Sequence, residues 1–232
     1  MADGGRNAGV DGRAARWAGH REKRRAEIVT AALSAIVEHG PWASTEQIAD
    51  RAGVSRPQLY RHFSDADDLY NAVAHQVAEL FAAEIVPVLS RPSGSPREII
   101  SGVVGTFVAW MADNASLYDY MVVRAAGSAP GRRGQAADMR LQVAERLCAL
   151  FTAYLDLLGA DSRHADTLAF GVAGMVESAT VRWLTVPGAL DQEQLVRRLT
   201  SAVWALFDDV LREAGVELDP DVPLPELPDD PE

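Results

Sequence analysis

Residues 44–70, STEQIADRAGVSRPQLYRHFSDADDLY, decide how this chain is read. Ser44 with Gln47 three positions on has the form of a capping box, in which each residue satisfies a backbone N–H left open at the start of a helix. Ala52-Gly53-Val54 follows, and a glycine there can take the left-handed conformation that a sharp reversal needs. Ser55 with Gln58 repeats the cap pattern, and Pro57 falls in a first turn where a missing N–H is tolerated. The segment predicts a helix near 45–51, a tight turn, and a second helix from Ser55. Ile48, Ala49, Ala52 and Val54 can bury one side, while Arg56, Gln58, Tyr60 and His62 can be presented on the other. A helix-turn-helix needs that division to lay its second helix in the major groove of DNA.

Working outward, residues 1–20 lack periodicity and are expected to form a mobile basic arm. A helix is predicted from Arg21 to His39, with Ile28, Val29, Ala32, Leu33 and Ile36 at helical spacing and Gly40-Pro41 ending it. Downstream, Asp65, Asp67 and Asp68 open another helix, where the macrodipole favours acids. Leu69, Val73, Val77, Leu80, Phe81 and Ile85 supply its stripe, and Pro87 is expected to kink or end it. Loops are predicted at 91–96 and 127–134. Ser95 with Glu98 and Asp191 with Gln194 form two further cap pairs, and helices are expected near 96–113, 115–125, 135–158, 163–184 and 191–214. The last 17 residues hold seven acids and five prolines, a composition expected to stay extended and solvated. The fold class is all-α. A helix-turn-helix domain at 21–66 precedes a larger helical domain at 67–215, with an acidic Pro-rich tail at 216–232.

The net charge of −11 at first argues against a nucleic-acid partner, but its distribution reverses that impression. Residues 1–64 carry 10 basic and 7 acidic side chains, and residues 65–232 carry 12 and 26. An acidic body with a basic end can be steered onto a polyanion in one orientation. One cysteine, Cys148, excludes an intrachain disulfide. No run of about 18 apolar residues suggests a membrane span, the first 20 residues do not read as a secretory signal, and a cytoplasmic protein is expected. The five histidines form no metal-binding motif: His75 and Glu79 lie one turn apart, but a solvated helix pair is the stronger reading. No Gly-rich phosphate loop or nucleophile elbow occurs. Neither a catalytic residue, a metal nor a cofactor is expected.

The string IADRAGVSRPQLYRHFSDADDL, behind a helix that ends at Gly40, resembles the N-terminal domain of the TetR family of bacterial transcription regulators. The Ile-Ala, Ala-Gly-Val-Ser, Leu-Tyr-x-His-Phe and downstream Leu positions agree in spacing over about residues 24–72. The resemblance implies that Ser55, Arg56 and Gln58 open the recognition helix. Arg56 could then fork to a guanine edge and Gln58 pair with an adenine. It implies phosphate contacts for Tyr60 and His62, and for Ser44 and Thr45 at the start of the preceding helix. The arginines from 13 to 25, Arg24 among them, are either a plain basic arm or a support that meets phosphates or the minor groove. Where the family usually has a lysine, this chain has Ala66, which removes one phosphate contact.

For the remainder, the resemblance implies a small-molecule effector domain and a homodimer built on the last two long helices. Gly171, Gly174 and Ser178 put small residues on one strip of the first of these. Leu199, Val203 and Leu206 belong to the apolar stripe of the second, and core packing within one subunit is the competing explanation. Phe107, Trp110, Met111, Tyr118, Met121, Phe151, Tyr154, Phe170, Met175 and Trp183 are candidates for an apolar effector pocket; for each, packing in the core is the stronger reading. Arg124 and Glu177 are candidate polar hooks. The function expected is a ligand-responsive DNA-binding repressor, released from a quasi-palindromic operator by an apolar or amphipathic effector. The alternative is a helical ligand- or partner-binding module with the same fold that recognises no operator.

Overall fold

The computed structural model describes residues 8–90, 92–126, 135–186, 188 and 190–225, and every regular element among them is helical. The helices are α1 (Ala8–His39), α2 (Thr45–Arg51), α3 (Arg56–Leu59), α4 (Ala66–Ser90) and α5 (Pro96–Asp113). They continue with α6 (Ala115–Ala126), α7 (Gln135–Leu157), α8 (Ala165–Thr185) and α9 (Gln192–Glu213), with a 3-10 turn at Ser162–His164 before α8. The loop predicted at 127–134 lies outside the described residues.

All four cap pairs form. At Ser44, Ser55, Ser95 and Asp191 the side chain accepts from the N–H of the residue three positions on, whose own side chain accepts from the cap N–H. Three boundaries differ from expectation. α1 begins at Ala8, well before Arg21, because alanine and arginine are strong helix formers that need no apolar stripe to extend a helix already nucleated. α3 keeps only four residues, and the chain then tightens, Arg61 N–H bonding to Gln58 O and His62 N–H to Leu59 O. α4 runs through Pro87 to Ser90; one proline removes one hydrogen bond, which a long helix survives.

The chain divides into two compact units, Met1–Val77 with Ser116–Pro130, and Ala78–Ala115 with Gly131–Glu232. The division falls inside α4 and gives α6 to the first unit, whereas the 91–96 loop lies within the second. In the first unit α1 packs on α2. Ile28, Ile36, Ile48, Leu59, Phe63 and Leu69 are its largest fully buried side chains from α1 to α4. The hydroxyl of Tyr70 donates to Met121 O and its ring lies 6.1 Å from that of Tyr120, tying α6 to the start of α4. In the second unit α7 packs on α8 and α5 on α9, and Phe81 meets Trp110 and Phe107 edge-on at 4.9 and 6.0 Å.

Among the described residues α4 alone is long and apolar enough to cross a bilayer by length and composition, with a window of mean hydropathy 1.4. The core helix of a globular protein passes the same test, and Leu69, Val73, Ala74 and Val77 of α4 are buried in the first unit.

The residues after α9 depart furthest from expectation. Gly215, at φ 73°, reverses the chain, and Val216 N–H returns to Leu211 O. Val216, Leu218 and Leu224 then pack on a cluster that includes Tyr154, Leu155, Phe207 and Leu211. Residues 216–225 are non-helical, with a turn at Pro220–Val222, and docked. Acids and prolines dominate their composition, whereas three spaced apolar side chains decide their position.

Gly53 sits at φ 64° with nothing near an added Cβ, so its backbone conformation is the only obstacle to a side chain. Gly53→Ala is expected to destabilise the protein by about 1 kcal/mol, the cost of the left-handed conformation for an L-residue. Thermal denaturation measures this, and an unchanged midpoint would contradict it.

Candidate nucleic-acid interface

Ser55, Arg56, Pro57 and Gln58 are exposed in succession, held up by Leu59 and Phe63, which are fully buried on the opposite side. The Arg56 guanidinium lies 5.8 Å from the Tyr60 ring, which limits its sweep. Gln58 is otherwise engaged. Its Oε1 accepts from both Ser55 N–H at 2.8 Å and Ser55 Oγ at 3.0 Å. A carbonyl oxygen has two lone pairs, so the acceptor needed for an adenine amino group is filled. The cap and the adenine contact inferred from the sequence compete for one atom, and in this structure the cap holds it.

Tyr60 and His62 are half-buried. His62 presents its backbone carbonyl to Arg25 at 2.8 Å, and its Nδ1 is buried without a hydrogen-bond partner among the described residues. Ser44 is exposed and Thr45 half-buried at the start of α2. Arg24 is occupied within the chain, paired with Glu27 at 2.7 Å and reaching Ala52 O at 3.4 Å. Ala66 is exposed as the first residue of α4, whose start is capped by the Asp65 carboxylate accepting from Asp68 N–H at 2.7 Å.

The residue that organises this region is one to which the sequence reading gave no structural role, in the helix predicted from Arg21. Arg25 donates to both oxygens of Asp68, at 3.1 and 2.5 Å, and lies 4.2 Å from the centre of the Phe63 ring. Asp68 also accepts from Ser64 N–H at 3.0 Å. One guanidinium thus ties α1 to the end of the reading segment and to the first turn of α4. A signal existed: Arg25 stands three and four residues before Ile28 and Val29, in phase with the buried stripe of α1. The pairing partner, 43 positions away, leaves no local trace.

Residues 28–73 match the family model described as bacterial regulatory proteins of the tetR family. Over those residues the chain carries a TetR-type N-terminal domain. It is 28% identical over 207 residues to the uncharacterized HTH-type transcriptional regulator Rv0472c of Mycobacterium tuberculosis, covering 89% of this chain and 86% of that protein. It is 27% identical over 189 residues to the HTH-type transcriptional activator FasR of Mycolicibacterium smegmatis, covering 79% and 83%. A TetR-family regulator from Streptomyces coelicolor shares the fold, with a TM-score of 0.64 at 19% identity over 84% of this chain and 86% of that one. TetR-family proteins are non-enzymatic DNA-binding regulators that typically act as dimers.

The TetR-type C-terminal candidates do not gather at one place. Phe151 and Tyr154 line an apolar cleft of about 40 Å³ in the second unit, together with Ile99 and Ile100 of α5 and Trp204 and Phe207 of α9. Trp110 packs on Phe81, Met111 is buried, and Phe107 and Met175 are half-buried. Trp183 donates its indole N–H to Leu190 O, whereas Phe170 is exposed at 42%. Tyr118 and Met121 belong to the other unit. Of the two polar hooks, Arg124 donates to Ala43 O and Glu177 pairs with Arg140, both at 3.0 Å.

The dimer candidates split as well. Leu199 and Val203 are buried in the core of their own chain, because the α9 stripe is spent on packing within the subunit. On α8, Gly171 and Ser178 are exposed, and a Cβ at Gly171 or Gly174 would meet nothing within 4 Å. Leu206 is exposed at 42%.

The Asp68 carboxyl is held at about 2, below its ordinary 3.8, mainly by the Arg25 hydrogen bond. A lowered carboxylate contributes stability that is complete above about pH 4 and is lost as pH falls towards 2. Its partners are about a third exposed, so screening discounts the contribution to the order of 1 kcal/mol. Asp68→Asn should therefore be less stable than the wild type by that amount in urea denaturation at pH 7, with the gap closing near pH 2. A gap independent of pH would refute the assignment.

Proposed function

We propose that this DNA-binding regulator is a homodimer that reads a quasi-palindromic operator through the exposed turn around Arg56 and answers to a small apolar or amphipathic effector. The observation that carries the proposal is the unbroken exposed run Ser55–Gln58 on a buried Leu59–Phe63 base. Arg56 is its one fork-shaped donor, and guanine is the base whose major-groove edge suits that fork. Gln58 serves as the cap that holds the turn. Tyr60, His62, Ser44 and Thr45 flank the run and contact phosphates, fixing register and not sequence. Arg24 joins them only by leaving Glu27, so its contribution is small.

The open strip of α8 around Gly171, Gly174 and Ser178, with Leu206 beside it in the proposal, receives the same strip of a second copy in a two-fold interface. Two reading segments then meet major grooves about 34–36 Å apart. Effector binding in the second unit shifts the population away from the state with that spacing. The protein works in the bacterial cytoplasm, where its operator is. Occlusion of a promoter requires only a bound dimer, and repression is the reading we adopt. The similarity to FasR favours activation as a second reading. Mapping the selected site against the transcription start separates them, since a repressor covers the promoter and an activator binds upstream of it.

Selection of genomic fragments by the purified protein should enrich a quasi-palindrome. Arg56→Ala should weaken binding to it by about 1–3 kcal/mol, roughly 10- to 100-fold, and relax preference at one base pair per half-site. Gln58→Ala should weaken all sequences alike. A set of unrelated enriched fragments would defeat the proposal.

Gly174→Gln tests the interface, because a Cβ at this position meets nothing within 4 Å and glutamine is the better helix former by about 0.5 kcal/mol. Sedimentation should show a monomer with an undiminished melting transition, and operator affinity should fall. A variant that still sediments as a dimer would place the interface elsewhere.

A further inference from the structure

Beyond the Val216–Leu211 bond at its start, the strap formed by residues 216–224 holds its place through two backbone hydrogen bonds, one exposed ion pair and three apolar side chains. Arg97 N–H donates to Pro220 O at 3.0 Å, and Leu224 N–H donates to Gly94 O at 2.9 Å. Arg97 grips the Asp221 carboxylate with two donors, at 2.6 and 3.2 Å. Leu224 forms part of the wall of the apolar cleft between α5, α7 and α9, three residues beyond that carboxylate. Arg97 itself stands on the first turn of α5, between Pro96 and Ile99, both of which line the cleft. With the strap seated, the cleft is far smaller than the several hundred cubic ångströms of an ordinary ligand site.

Two chemical groups therefore meet one small region of the second unit: a carboxylate on a guanidinium, and an alkyl group beside aromatic and aliphatic walls. We propose that the strap is an internal stand-in for an amphipathic carboxylic acid, and that such a molecule binds this cleft by displacing it. The incoming carboxylate takes the place of Asp221 on Arg97, and its hydrocarbon chain takes the place of Leu224. Of the groups released from the strap, the Asp221 carboxylate is already largely exposed and an exposed ion pair holds weakly, while the loss of Leu224 burial is offset by the longer hydrocarbon chain that replaces it. The ligand keeps a bidentate contact at the mouth and gains apolar burial in the cleft. This gives the effector of the proposed regulator a place and a chemical class, and rests on that reading for its consequence; binding itself requires no operator.

The test uses the full chain with octanoate and octan-1-ol as probes, titrated calorimetrically without DNA, so that failure here leaves the operator reading standing. Asp221→Asn combined with Leu224→Ala should bind octanoate at least about tenfold more tightly than the wild type, and Asp221→Asn alone should fall between them. Adding Arg97→Gln to the double variant should abolish the preference for octanoate over octan-1-ol while leaving octanol binding in place. Trp204 reports the location, because the fluorescence change on binding should be lost in Trp204→Phe. Melting transitions of the variants establish that they fold. Equal octanoate affinity in the wild type and the folded double variant would overturn the strap as a stand-in. Equal affinity for the acid and the alcohol in the double variant would overturn the carboxylate class.

Discussion

The Arg25–Asp68 contact is the constraint on which the N-terminal unit depends. α3 has only four residues, far too short to persist as an isolated helix. Its position must come from what surrounds it. Leu59 and Phe63 anchor it from below, and the guanidinium of Arg25 closes it from the side, over the Phe63 ring and onto the His62 carbonyl. Asp68 then fixes that guanidinium and receives the Ser64 N–H where the chain enters α4. A bidentate guanidinium–carboxylate pair restricts orientation as well as distance. The exposed run at Ser55–Gln58 can therefore be short and still be rigid.

The same economy explains why Gln58 is a support. Of the first four positions, Ser55 to Gln58, Pro57 has no N–H, and the Ser55–Gln58 box satisfies two of the three orphan donors that remain. Breaking that box to free Gln58 for a base would loosen the turn that carries Arg56. The proposed readout by one arginine, with the neighbouring glutamine spent on geometry, follows from the shortness of the helix.

What the sequence made legible was local. The cap pairs at Ser44, Ser55, Ser95 and Asp191 and the turn at Gly53 are encoded within a few residues, and each forms as read. The exposure of Arg56 followed from the same pattern. Long-range pairings escaped: Arg25 with Asp68, Arg97 with Asp221 across 124 positions, and the sharing of α4 between two compact units. Composition misled at both ends, since alanine- and arginine-rich residues from Ala8 are helical and an acidic, proline-rich segment is docked. Averages over a window describe how a segment prefers water. A few side chains at the right spacing decide whether it stays there.

That distinction bears on how a family with a common reading head can answer to different chemistry. The reading unit is determined by short-range patterns that tolerate little change, and residues 28–73 match the family through them. The second unit is built from long helices whose apolar stripes can be met by many combinations of leucine, valine and phenylalanine, so its cavities are free to vary. Here α9 spends Leu199 and Val203 on its own core, while α8 leaves a glycine strip open. In the proposed dimer the partner would meet mainly the open strip of α8, with Leu206 of α9 beside it. The effector site proposed beneath the strap at α5, α7 and α9 could then change shape without consuming the α8 surface on which a second copy would depend.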